Sequence, residues 1–118
     1  MALTFNTKTY TADSFNGNQV SYNGPGNTLS VKDVLRLART NPKPTGLYSG
    51  NGRFEAKLTR THTLTGALTP SGDSITTISY SGPVGISSTD ADAISNDLGA
   101  LISSADFKTM LKTLKISY

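Results

Sequence analysis

The sequence predicts an α+β fold, with an antiparallel sheet first and two α-helices at the C-terminal end. Three observations lead there. Up to residue 86 the chain is rich in Thr, Ser and Gly and falls into short alternating runs broken by turn signals. From residue 89 the hydrophobic period changes from 2 to 3.6 residues. The two regimes do not interleave, and strands followed by helices place the helices on one face of an antiparallel sheet. The 118 residues suit a single domain over 1–118. It divides into an N-terminal hairpin in 1–24, a sheet in 30–86 and the two helices in 89–116.

The elements follow in chain order. Asn16-Gly17 is a strong short hairpin signal. It joins a strand near residues 3–11 to one near 18–23, and Asn23-Gly24-Pro25-Gly26-Asn27 ends the hairpin. Residues 30–40 fit two patterns. Ser30-Val31-Lys32-Asp33 resembles a capping box, and Val31, Val34, Leu35 and Ala38 form a helical stripe. The same stretch is also a strand with Leu35 and Leu37 on one face and Lys32, Val34, Arg36 and Ala38 on the other. The pattern alone slightly favours the helix. Pro42 and Pro44 mark a connection, since neither offers a backbone donor.

The clearest strand runs from Arg53 to Leu64. Phe54, Ala56 and Leu58 point one way; Glu55, Lys57, Thr59, Thr61 and Thr63 point the other. Gly66 to Asp73 is a loop. Ser74 to Ser81 is a strand with Ile78 and Tyr80 opposite Thr77 and Ser79, ended by Pro83. Thr89 and Asp92 predict a capping box for the first helix, whose apolar face is Ile94, Leu98, Leu101 and Ile102. Ser103-Ser104 interrupts it. Ser104 caps a second helix with Phe107, Met110, Leu111 and Leu114 on its apolar face.

Composition excludes several functions. With no Cys there is no disulfide or thiolate metal site. The only His, His62, has no partners at ligand spacing, so no metal or other cofactor is expected. No nucleophile elbow, triad or phosphate-binding Gly-rich loop is present, so no catalytic residue is assigned. The start lacks the pattern of a signal peptide, and no apolar run approaches the ~20 residues of a membrane span. A cytoplasmic site of synthesis and no membrane partner are expected. Only 36% of residues are hydrophobic and none is Trp, which suits a core completed by a partner subunit. The net charge of +3 is mild, so nucleic-acid binding would need many copies or basic residues gathered on one surface.

One stretch carries a family resemblance. Asp97-Leu98-Gly99-Ala100-Leu101-Ile102-Ser103-Ser104-Ala105-Asp106-Phe107, continuing through Met110-Leu111 to Tyr118, resembles the helical end of the coat proteins of levivirus-like single-stranded RNA bacteriophages. Ser88-Thr89-Asp90 and the strand Arg53-Phe54-Glu55-Ala56-Lys57-Leu58 are similar to that family as well. The resemblance implies an N-terminal hairpin, a five-stranded antiparallel sheet, and helices that cover the sheet of a partner in an interlocked homodimer. It implies further that dimers build an icosahedral shell in the bacterial host cytoplasm. The polar sheet face would line the virion interior and bind genomic RNA, in some members an RNA hairpin whose binding represses translation.

On that face the resemblance points to Lys57 and Thr59, joined by Lys32 and Arg36 if residues 32–38 are a strand, and by Arg53 and Thr77. A Lys or Arg there neutralises phosphate and a hydroxyl bonds a base edge or phosphate, although a solvated polar face gives the same pattern. Glu55 shares the row and should weaken phosphate contact unless a neighbouring strand's cation pairs with it. Tyr48 is a candidate for stacking on a base. Ile94, Leu98, Leu101, Phe107 and Leu111 are the expected core of the dimer helices. Two other classes fit the composition: a small homodimeric α+β enzyme or ligand-binding domain with a pocket between sheet and helices, and a Thr/Ser-rich tail or adhesin-like module. The first lacks paired catalytic groups, and the second leaves the paired helices unexplained.

Overall fold

A computed structural model describes residues 2–47 and 50–116. Tyr48 and Tyr118 lie outside the described residues. Two compact units divide the chain, the first ending at Val84 and the second beginning at Gly85.

The first unit is one antiparallel meander of six strands in sequence order: β1 (Ala2–Phe5), β2 (Lys8–Asn16), β3 (Gln19–Asn23), β4 (Asp33–Thr40), β5 (Asn51–Thr63) and β6 (Ser71–Pro83). The strand expected over residues 3–11 is thus two strands. Asn6 and Thr7 turn the chain between them with φ of 51° and 60°. Positive φ at both central residues is the hairpin pattern whose twist matches the strands, and a β-branched Thr is an unusual occupant. Asn16-Gly17 does locate the next hairpin, where Gly17 supplies the positive φ of 59° and Asn16 pairs with Gln19. A bulge at Asp13 lets Ala12 and Phe15 both share the face of Tyr22 and Val20.

Residues 33–40 are a strand, not the helix that the local pattern slightly favours. The reason is tertiary. β4 pairs along one edge with β3 and along the other with β5, and this register buries Leu35 beside Tyr10 and Tyr22. Val20, Leu37 and Leu58 pack around that cluster. Asp33, read from sequence as part of a capping box, is instead buried. Its carboxylate accepts from Gly26 N at 3.3 Å and from Arg60 Nε at 3.0 Å. Arg60 Nη2 donates on to the Tyr10 hydroxyl at 2.6 Å, and Phe5 stacks on the Tyr10 ring with centroids 4.6 Å apart. One face of the sheet is therefore apolar with a charged clasp at its edge.

The second unit holds α1 (Ser88–Ser103) and α2 (Ala105–Thr113). Ser87 caps α1, its Oγ accepting from Asp90 N at 3.1 Å, two residues ahead of the cap expected at Thr89. A hydroxyl residue three positions before an Asp occurs at both places, Ser87 before Asp90 and Thr89 before Asp92, and the earlier one puts Thr89 inside the first turn. Ser104 ends α1 and caps α2, accepting from Phe107 N at 3.2 Å, as the sequence indicates. Leu114, expected on the α2 apolar face, is instead the C-cap, with φ of 56°.

Candidate nucleic-acid interface

Strand alternation and register decide which polar side chains meet. Across β3 to β6, Ser21 lies opposite Arg36, Arg36 opposite Lys57, and Lys57 opposite Thr77. These four residues make one row on the face away from Leu35 and Leu58. The next row is Asn23, Val34, Thr59 and Ile75; on the other side come Gln19, Ala38, Glu55 and Ser79, then Thr40, Arg53 and Ser81. Arg36, Arg53, Lys57, Thr59 and Thr77 therefore share one face, as the strand alternative for residues 32–38 requires. Arg39 leaves on the opposite face, where its Nε donates to Asn18 Oδ1 at 3.1 Å.

Lys32 precedes β4 and extends its ladder. Its N–H donates to Thr61 Oγ1 at 3.0 Å and its carbonyl accepts from Thr61 N at 2.9 Å. Its ammonium reaches Asp73 Oδ2 at 3.4 Å, and Thr61 Oγ1 donates to Asp73 Oδ1 at 2.7 Å. The Thr61 hydroxyl foremost, with Lys32 behind it, holds the Asp73 carboxyl below its ordinary value.

Glu55 has the cation partner that would relieve its effect. Arg36 Nη2 donates to Glu55 Oε1 at 2.8 Å, diagonally across β4 and β5. Two of the four cations on the face are thus ion-paired, Arg36 with Glu55 and Lys32 with Asp73, whereas no ion pair is found for Lys57 or Arg53 among the described residues. Sequence reasoning missed Asp73, Ser21 and Ile75. Asp73 sits in what the sequence marks as loop, and Ser21 joins the row only once the β3–β4 register is known. Ile75, 63% exposed, follows from the alternation already used for Thr77 and Ser79.

The sheet meander followed by paired helices is the fold of levi-like phage coat proteins. The virus-like particle subunit of Beihai levi-like virus 32 matches with a TM-score of 0.77 and 15% identity, over 96% of this chain and 91% of that one. That of Wenzhou levi-like virus 4 matches at 0.73 and 20% identity, over 86% and 71%. The coat protein of bacteriophage EMS014 matches at 0.60 and 20% identity, over 84% and 66%. No protein-family model and no curated protein sequence matches the chain. At these identities the likeness is one of fold. The six strands seen here differ from the five plus a separate hairpin that the resemblance implies.

Proposed function

We propose that this chain is a capsid subunit, structural and not enzymatic, which pairs with a second copy, assembles into an icosahedral shell and holds single-stranded RNA on its polar sheet face. The observation that carries the shell is a fold shared, over most of the chain, with subunits of levi-like virus-like particles. Support for a partner subunit comes from the apolar surface that one chain leaves exposed. Phe54, Leu98, Leu101 and Leu111 are 47%, 42%, 47% and 63% exposed. On the apolar sheet face a recess of about 310 Å³ is lined by Phe15, Val20, Leu37 and Phe54, with Arg39 beside them. An obligate interface of more than ~2,000 Å² in total would cover such surface.

The RNA reading is supported by the hydroxyls and cations gathered around Lys57. Base contacts by the same residues would make hairpin repression a property of individual side chains. Negative-stain microscopy of the purified protein tests the capsid reading. Uniform round particles are expected; a monodisperse small species under all assembly conditions would overturn it.

A further inference from the structure

Arg36 stands beside Lys57 at the centre of the polar face, yet its charge is already engaged. Nη2 donates to Glu55 Oε1 at 2.8 Å, while Nε is buried without a hydrogen-bond partner. Both side chains keep about a third of their surface in solvent, 34% for Arg36 and 38% for Glu55. The contact uses one arm of the guanidinium, whereas a phosphate can accept from two. A carboxylate held this way is a stand-in for phosphate that another oxyanion can replace.

We propose that Glu55 is a specificity-determining residue of this face: its carboxylate occupies Arg36, so a polyanion gains Arg36 only by displacing it. The proposal rests on the RNA reading above and deepens it. Lys57, two residues along β5 on the same face, is with Arg53 a cation for which no ion pair is found among the described residues, whereas Arg36 is held in reserve. An RNA that merely lies across the sheet meets the charge of Lys57 and the repulsion of Glu55. One shaped to bring a phosphate onto the guanidinium fork replaces the carboxylate and gains a second cation. The pair thereby lowers affinity for arbitrary RNA more than for RNA of fitting shape. It also offsets the repulsion of Arg36 and Lys57, which sit directly opposite one another.

The test is a double-mutant cycle on the purified dimer with single-stranded poly(U) as probe, affinity being measured against salt. Glu55→Gln should tighten binding on the order of fivefold at 0.1 M salt and steepen the salt slope by about 0.7, as one released counterion requires. Arg36→Ala alone should weaken binding slightly, because it leaves the Glu55 carboxylate without its cation. Added to Glu55→Gln, it should abolish both the gain and the extra slope. If Glu55→Gln tightens binding equally with and without Arg36→Ala, Glu55 acts through its charge alone and the proposal fails while the RNA face stands. If neither Glu55→Gln nor Lys57→Ala alters affinity or slope, the RNA face itself is wrong and the proposal falls with it. Circular dichroism of each variant checks that the sheet is retained, and Glu55→Asp, with its shorter reach to Arg36, should fall between wild type and Glu55→Gln.

Discussion

Arg36 and Lys57 are direct cross-strand partners on β4 and β5, two cations on one face of the sheet. Side chains so placed have Cβ atoms about 5 Å apart, and like charges there destabilise the pairing. The arrangement persists because Glu55 takes Arg36 from the diagonal position. Packing of the sheet does not require a second cation here, and the proposed phosphate contact would use one.

Lys57→Ala should therefore separate stability from RNA binding. It removes a like-charged neighbour of Arg36 and leaves no cavity among Phe54, Ala56 and Leu58, so the melting temperature should hold or rise slightly. RNA affinity should fall, and the salt slope should decrease by about 0.7 for each phosphate that Lys57 neutralises. Thr59→Ala should leave the slope unchanged and alter preference among hairpins if its hydroxyl bonds a base. Affinity against salt for both variants is the measurement; a steep slope retained in Lys57→Ala would place the phosphates elsewhere.

The clasp on the apolar face gives a stability prediction of the opposite kind. Arg60→Leu leaves Asp33 buried without its cation and frees the Tyr10 hydroxyl. Breaking a fully buried pair costs roughly 3–5 kcal/mol. The Arg60 side chain is 32% exposed, and solvent screening reduces the expected cost to about 2 kcal/mol. Tyr10→Phe removes only the neutral partner and should cost about 1 kcal/mol. Denaturant unfolding that ranks Tyr10→Phe above Arg60→Leu would contradict this order.

The long elements were legible because each side chain's direction follows from its own strand or helix. The β5 face, the β6 alternation and the Ser104 break needed only period and capping chemistry. Residues 33–40 were legible as a strand only as one of two alternatives, because Val31, Val34, Leu35 and Ala38 satisfy a helical stripe as well. The choice is made by ladders to β3 and β5, which join residues far apart in sequence. The same holds for the site. Lys57 and Thr59 are fixed by alternation within β5, but the pairing of Arg36 with Glu55 depends on the register of β4 against it. Asn6-Thr7 escaped notice because Asn6 is a weak turn signal without a following Gly, and Thr rarely takes a positive φ.

Ser104 serves two helices through one hydroxyl, which accepts from Phe107 N and donates to the Leu101 carbonyl at 2.6 Å. Ser104→Ala should cost about 1 kcal/mol, and Ser104→Gly only a few tenths from the cap itself. Thermal unfolding followed by helical circular dichroism distinguishes them; equal losses would mean that the hydroxyl caps nothing of consequence.

Asp73 supplies the pH dependence. Its carboxyl is held below the ordinary 3.8, first by the Thr61 hydroxyl, which desolvation opposes, and then by Lys32. A folded value below the unfolded one means that the stabilisation is present above the unfolded value and is lost as pH falls through the folded one. Thr61→Val should move the Asp73 titration up toward its ordinary value, and Lys32→Ala should move it up by less. Carboxyl carbon NMR titration reads both shifts; a larger shift in Lys32→Ala would make charge the dominant cause.

The helical unit yields the prediction closest to assembly. Leu98 and Leu111 project from α1 and α2 and remain 42% and 63% exposed. Truncating an exposed leucine costs an isolated chain little, since solvent already surrounds much of the side chain. If a second copy buries them, Leu98→Ala and Leu111→Ala each cost the assembly roughly 2–5 kcal/mol, cavity included. Two copies per dimer double that loss, because a two-fold interface presents each position twice. Helical circular dichroism should stay close to wild type while particle yield collapses, and sedimentation should show dimers giving way to dissociated chains. Full particle yield from both variants would mean that these faces are not where subunits meet, and the partner would have to cover the Phe54 side of the sheet with some other surface.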